Sequence, residues 1–415
     1  MSTIFIHNGT LFDCTGRDPL SGGAMIIEDN KIIAAGVERD LTLPEGELVE
    51  IDAAGGWILP GFIDTHVHLM MEGGDLEKSL LTPFSYNFYK AIPFFRRTLE
   101  AGITTVRDAG GLDLGTKRAL DEGLVPGPRV KISINALSIT GGHGDSWMPS
   151  GADLNAFAAY PGMPDGRCDG PEEVRKKVRE MLRAGAEVIK ICSTGGVMSP
   201  TDRPEHTQFS PAELAVIVEE ASYHGGLKVM SHAQGTQGIK QAIEAGIHSI
   251  EHGIFLDDEV VRMMLERGTF LVPTLLAPFS ILEQAAKNER FPPYAVAKAQ
   301  DAYEWHRKSI ALAYKAGVKI AMGTDAGVMP HGTNLRELGL MCEIGMSPRE
   351  AILATTRVAA ECLEWQARLG TLEPGKLADV VIWKVDPLAD IHALEDQNNA
   401  AVVIKDGKIV KNLQA

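Results

Sequence analysis

Cysteine is scarce, positive charge is outnumbered and long apolar runs are missing, and each shortage removes a class of function. Five cysteines, Cys14, Cys168, Cys192, Cys342 and Cys362, are scattered over 415 residues. An odd, sparse set with no C-x-x-C pair does not make a disulfide framework, so the thiols are expected to be reduced. Lys and Arg number 40 against 55 Asp and Glu, a net charge of −15. That acidity leaves no footprint for a phosphate backbone, and no nucleic-acid partner is expected. No apolar run approaches the roughly 18 residues that cross a bilayer, so no membrane partner is expected either. The N-terminal residues show no basic segment leading into an apolar stretch, which reads as a cytoplasmic protein. Neither G-x-G-x-x-G after the first strand nor a P-loop is present, so nucleotide binding has no support.

What is present is the composition of a folded chain of one or two domains, 45% apolar and 23% charged. Both ends read as β. Thr3–Ile6 leads to a turn signal at Asn8-Gly9, and Ala24–Glu28 and Lys31–Ala35 flank Asp29-Asn30 as a hairpin. Asp379–Trp383 is followed by Ala401–Lys405, Asp406-Gly407 and Lys408–Val410, a second hairpin. Because chain ends often lie together, residues 1–57 and 367–415 are expected to build one small β-sandwich domain. Between them, helical stretches end in glycine and short apolar strands follow, as at Gly102, Gly185, Gly246, Gly268 and Gly317. Ser210-Pro211-x-Glu213 and Ser347-Pro348-x-Glu350 are capping boxes. With Ile58–Ile63 and Arg129–Ile132 the count reaches eight strands. An α/β chain with a (β/α)8 TIM barrel over 58–366 is predicted, with a doubly wound open sheet as the competitor.

A barrel of this kind carries its active groups at the C-terminal ends of its strands. His66 and His68 follow the first strand two residues apart, so both face the same way and can share a metal. Lys190 sits inside the apolar run Val188–Cys192. An unpaired buried ammonium is costly, so Lys190 meets a carboxylate, snorkels outward, or is chemically altered by adding CO2 to become an anionic carbamate. His232, His252 and Asp325 end the fifth, sixth and eighth strands. Each alone is an ordinary polar rim residue; together the six face one mouth and suffice for two divalent ions if Lys190 carries the carbamate. Nitrogen and oxygen donors without cysteine suit zinc first, then manganese, cobalt or nickel. His143, flanked by glycines after the third strand, is a substrate-facing candidate or simply a loop histidine. Arg203, in the long stretch after Lys190, could pair with a substrate carboxylate, although an exposed charge is the stronger reading. His331 is a candidate for supporting the site or touching substrate. Asp64 and Thr65 read as supports of the first metal position. His7, His224, His248, His306 and His392 read as structural or surface residues.

The segments Gly61–His68, Ile189-Lys190, Ser231–Ala233, Glu251–Gly253, Gly323–Gly327 and Gly370–Val381 together resemble the amidohydrolase superfamily over nearly the whole chain. Within it the sequence looks most like the imidazolonepropionase-related branch, which includes prolidase-type and carboxypeptidase-type dipeptidases and ochratoxin-hydrolysing amidases. The resemblance implies a binuclear hydrolase: His66, His68 and Asp325 on one metal, His232 and His252 on the other, and carboxylated Lys190 between them. A metal-activated hydroxide would then cleave the C–N amide bond of a small N-acyl amino acid or dipeptide-like substrate, with Asp325 moving the proton and His143 meeting the substrate. It also implies a homo-oligomer. Prolidases of this branch often carry a tyrosine where this chain has Gln234, which weakens a proline-dipeptide reading. The alternatives are a mononuclear cyclic-amide hydrolase or deaminase and, in another class, a non-catalytic scaffold barrel, which the complete ligand set disfavours.

Overall fold

The computed structural model describes residues 3–73, 80–155, 160–287 and 292–414. Strands β1 (Thr3–Leu11), β2 (Leu20–Glu28), β3 (Lys31–Val37), β4 (Leu48–Asp52) and β5 (Trp57–Pro60) open the chain. A central series follows: β6 (Phe62–Val67), β7 (Ile103–Asp108), β8 (Arg129–Ile132), β9 (Ala136–Leu137), β10 (Ile189–Cys192), β11 (Val229–Ala233), β12 (Ser249–His252) and β13 (Phe270–Val272). Strands β14 (Val380–Trp383), β15 (Ala400–Lys405) and β16 (Lys408–Asn412) come last.

Both chain ends enter one hydrogen-bonded sheet, in the order β16-β15-β14-β5-β1-β2-β3, with β4 on β1. Ile6, Met25, Ile27, Ile58, Val380 and Ile404 from across that sheet gather in a single apolar cluster. Trp383 faces the other way and stacks on Phe62 of β6 at 5.5 Å, joining the sheet to the rest of the molecule. The two anticipated hairpins are present. Asp29 (φ 50°) and Asp406 (φ 49°) take the left-handed conformation their turns need, followed at the second by Gly407 (φ 69°). A Cβ on Gly407 would lie 1.7 Å from the Asp29 carbonyl oxygen, so the two hairpin tips touch where only glycine fits.

Two local expectations fail. Asn8-Gly9 is not a turn: β1 runs through it to Leu11, with register shifts on both sides of Gly9 and Asn8 at φ 57°. The dipeptide makes a bulge, because Gly9 lies so close to Ile58 that a Cβ would come within 2.7 Å of its Cδ1. The run Ile58–Ile63 is not one strand but breaks at Gly61. β5 pairs with β14 and β1, whereas β6 pairs with β7. A Cβ on Gly61 would sit 2.2 Å from Thr104 Oγ1, so the crossing is possible only without a side chain.

The central strands are parallel, in the orders β6-β7-β8 and β9-β10-β11-β12-β13. The expected eighth strand over Val318–Ala321 is irregular, with bridges Leu271↔Ile320 and Val67↔Ala326. On one side Leu271 N–H donates to Lys319 O (2.9 Å), and on the other Thr65 N–H donates to Met322 O (2.9 Å). The architecture is α/β and TIM-barrel-like. Helices alternate with these strands: α1 (Tyr86–Glu100), α2 (Leu114–Asp121), α3 (Gly170–Ala184), α4 (Pro211–Tyr223), α5 (Thr236–Ala245), α6 (Asp258–Arg267), α7 (Leu276–Ala286), α8 (Pro293–Ala316), α9 (Arg336–Glu343) and α10 (Pro348–Ala354). Both predicted capping boxes close reciprocally, at the starts of α4 and α10. Left-handed glycines end α3, α5, α6 and α8. α3 buries Val174, Val178 and Met181, one stripe at helical spacing, each residue contributing roughly 1.5–3 kcal/mol. Among the described residues no helix is long and apolar enough to cross a membrane.

Candidate metal centre

His66 Nδ1–H donates to Glu251 Oε2 (2.7 Å) and His68 Nδ1–H to the Gly110 carbonyl (2.9 Å). His232, on β11, donates from Nε2 to the Gly195 carbonyl (3.0 Å). Carboxylates and carbonyls only accept, so in these three rings the anchored nitrogen carries a proton; in His66 and His232 the other nitrogen keeps its lone pair, whereas His68 Nε2 faces Asp325 in a hydrogen bond. His252, on β12, has Nδ1 against the Thr274 hydroxyl (2.7 Å), which leaves Nε2 for the interior. This is the outer-sphere anchoring that metal-ligating imidazoles need. The Nε2 atoms of His66 and His68 lie 3.5 and 3.3 Å from Asp325 Oδ1. Those three residues bring one ligand atom each to within 4.8 Å of the others. The rings of His66 and His252 are 5.1 Å apart, and those of His232 and His252 4.5 Å. All of them line one cavity of about 350 Å³.

Burial pushes His66, His232 and His252 well below the ordinary imidazole value, with Lys190 nearby reinforcing it, so the rings are neutral as ligation requires. Burial works against ionisation of Asp325, yet the His68 hydrogen bond and the two nearby imidazoles hold it below the usual carboxylate range. Burial likewise opposes a charge on His68, and Asp325 more than offsets it.

Lys190 lines the same cavity, is 4% exposed, and has no hydrogen-bond or ion-pair partner among the described residues. The nearest candidate counter-charge, Glu251, is taken: its second oxygen accepts from Arg107 Nη2 (2.9 Å) and from the Ser249 hydroxyl (2.6 Å). Salt pairing and outward snorkelling are therefore both set aside. Burial depresses the amine toward its neutral form, the form that adds CO2.

The backbone is strained where the ligands emerge. His252 (φ 71°), Thr274 (φ 50°) and Asp325 (φ 64°) all hold left-handed conformations without being glycine. His306, read from the sequence as structural or surface, donates from Nε2 to the His252 carbonyl (2.8 Å) and lines the cavity. Asp325 N–H donates to the His66 carbonyl (2.8 Å). Asp64, expected as a support, accepts from Thr324 Oγ1 (2.7 Å) and Asn334 Nδ2 (2.8 Å) and so steadies the Asp325 turn.

The remaining candidates separate. His143 reaches the cavity, stacked on His232 with ring centres 4.0 Å apart, and burial lowers it to about 4. Arg203 is exposed and outside the cavity lining. His331 is buried but also outside the lining; it stacks on Phe94 and donates from Nε2 to the Met71 carbonyl (2.8 Å). Sequence reasoning missed Arg107 and Glu251. The signal was an arginine inside the buried run Ile103–Asp108, which demands a counter-charge. It also missed Asp108, whose carboxylate collects the N–H groups of Leu69, Gly110 and Leu112. The cavity lining also has an apolar part: Val197, Met198, Ile254, Pro278 and Ile281.

Set beside known proteins, this arrangement has relatives. The amidohydrolase family profile matches residues 57–410. The chain belongs to the amidohydrolase family. The ochratoxinase of Aspergillus niger is 36% identical over 424 residues, covering 98% of this chain and 86% of that one. Its crystal structure superposes with a TM-score of 0.88, covering 99% of this chain and 96% of that one. A prolidase crystallised with N-methylphosphonate-L-proline is 34% identical with a TM-score of 0.92, covering 99% and 100%. The imidazolonepropionase of Geobacillus kaustophilus is 27% identical over 422 residues, covering 95% and 91%. These homologues match the branch anticipated from the motifs, and they support hydrolysis of amide bonds by this chain.

Proposed function

We propose that this amidohydrolase is metal-dependent and cleaves the C–N amide bond of a small N-acyl amino acid or dipeptide-like substrate. The observation that carries the reading is Lys190, a buried amine with no partner among the described residues, set among four imidazoles whose outer nitrogens are already anchored. The donor set fits two divalent cations, zinc first: His66, His68 and Asp325 for one, His232 and His252 for the other, and a carbamate on Lys190 for both. Cations held there would make water acidic enough to attack near neutral pH and would polarise the scissile carbonyl. Asp325, kept ionised by His68, takes the proton at its carboxylate and returns it to the departing nitrogen. His143 meets the substrate, and the apolar wall receives the acyl portion and excludes water. In this reading the parallel segments form a closed barrel over 58–366, and the terminal sheet is the separate β unit.

The test combines metal analysis, intact mass and turnover. Purified protein should carry close to two metal ions per chain and a mass increment of one CO2 that Lys190→Ala abolishes. A panel of N-acyl amino acids and dipeptides should include members cleaved with metal and spared after chelation. An intact panel would defeat the substrate assignment. A second reading, a one-metal cyclic-amide hydrolase or deaminase, draws on the fact that among the described residues only His66, His68 and Asp325 meet within 4.8 Å. One ion per chain with an unmodified Lys190 would select it.

A further inference from the structure

His143 is held from behind by a chain of two side chains. Its Nδ1 lies 3.0 Å from Ser199 Oγ. The other neighbours of that hydroxyl are Asp202 Oδ1, in a short hydrogen bond, and the Gly196 carbonyl at 3.4 Å. Both are acceptors, so the single Ser199 proton is directed to one of them. Ser199 Oγ can then only accept from the ring, and the ring proton belongs on Nδ1. Asp202 is itself fixed: it accepts from Gly196 N–H (3.1 Å) and Gln208 Nε2 (2.9 Å). Gln208 Oε1 in turn accepts from His143 N–H (3.0 Å). Lys298 on α8 donates to the carbonyls of Gly196, Ser199 and Asp202 at 2.9, 2.7 and 2.5 Å, pinning the loop that carries the pair. Gly196 lies against the ring, and a Cβ there would be 2.2 Å from His143 Cε1. The ring is therefore oriented from three directions. His143 Nε2 has no partner among the described residues, and the ring lines the cavity.

We propose that Asp202, acting through Ser199, is a positioning residue that locks the His143 proton on Nδ1, so that Nε2 accepts a hydrogen bond from the N–H of a secondary-amide substrate. The substrate half rests on the amide-hydrolase reading above; the tautomer half does not. A histidine so locked, while neutral, cannot donate to a carbonyl oxygen. It rewards a substrate that offers a donor and gives nothing to a tertiary amide, such as one made with a proline nitrogen.

The tautomer is read directly on full-length, metal-loaded protein with 15N-labelled histidine, by long-range 1H–15N correlation, using H143Q to assign the ring. Wild type should show the Nδ1–H pattern. In D202N the amide oxygen stays toward Gly196 N–H and Ser199 Oγ but loses the charge that holds the Ser199 proton, which frees that hydroxyl to donate to the ring and moves the ring proton toward Nε2. S199A should free the tautomer while leaving the other bonds of Asp202 in place, which guards against a D202N chain that fails to fold. S199T should keep the wild-type pattern. In turnover, kcat/KM for a secondary amide should exceed that for its N-methylated counterpart by about tenfold or more, and D202N and S199A should bring the ratio toward one with metal content unchanged. A wild-type ring protonated on Nε2, or a tautomer and ratio indifferent to D202N and S199A, would overturn the proposal. If no amide is cleaved at all, the amide-hydrolase reading fails, and the NMR experiment still decides the tautomer.

Discussion

Within one cavity lining, His66, His232 and His252 stand on strands paired with parallel neighbours, whereas His143, Val197 and Met198 stand on loops held by a few side chains. The strand side orients each imidazole with a second hydrogen bond and accepts left-handed backbone at His252 and Asp325. The loop side depends on Lys298, Asp202 and Gln208. In the proposed reading the strand side would hold the cations and the loop side would meet the substrate. The two regions meet at His232, which stacks on His143 and donates to the Gly195 carbonyl of the loop.

Substitutions should expose that division. The largest effect is expected from Asp325→Asn, which removes the proposed proton carrier: kcat should fall on the order of a hundred- to ten-thousandfold, measured by steady-state turnover at matched metal content. Next on the strand side is Glu251→Gln. It releases His66 and leaves the Arg107 guanidinium buried without its carboxylate. Metal affinity should drop about 10- to 100-fold by competition with a chelator, and denaturant titration should show a loss of about 3–5 kcal/mol. On the loop side, Gly196→Ala pushes His143 aside. Turnover should fall by up to about a hundredfold while metal content is unchanged, the reverse of the Glu251 pattern.

A smaller effect is expected from pH. Glu337 accepts from the N–H groups of Leu275 and Leu276 at the start of α7, whose residues Ala277, Pro278 and Ile281 line the cavity. Burial raises it from 4.5 to about 8. The folded state thus keeps a proton that the unfolded chain releases. Its contribution is complete below about pH 4.5 and disappears as pH rises through about 8. The urea stability of wild type minus that of Glu337→Gln should shrink across that window, which isolates this contribution from the opposite, rising contribution of buried imidazoles such as His66, His232 and His252. Asp64 and Asp108, both raised to about 6 by burial, contribute with the same sign as Glu337. The smallest effect is reserved for Arg203→Ala. As an exposed residue away from the cavity, it should leave KM within about twofold.

That the candidate ligands share one cavity was legible because strand ends and a period of two are local features. His66, His68, His232, His252 and Asp325 could be aligned on one mouth from spacing alone, and Lys190 stood out as a charge in an apolar run. The terminal hairpins and the helix caps were legible for the same reason. What escaped notice depended on contacts between distant segments. Gly61 breaks a continuous apolar run because of Thr104, and Asn8-Gly9 becomes a bulge because of Ile58. Glu251 serves His66 across 185 positions of sequence. Ser199 and Asp202 lie in an aperiodic loop, where nothing local distinguishes a residue that aims His143 from one that merely faces solvent. Arg203 drew attention as a lone charge in the same loop and lies away from the cavity.

The terminal sheet has a consequence for biogenesis. β5 leaves the ribosome early, yet its partner β14 lies more than three hundred residues downstream and separates it from β15. During synthesis the β5 edge therefore waits, unpaired, while the whole catalytic body is made. A nascent chain that stalls before Val380 should display that edge to other chains, so ribosome pausing or C-terminal truncation should appear first as aggregation rather than as lost catalysis.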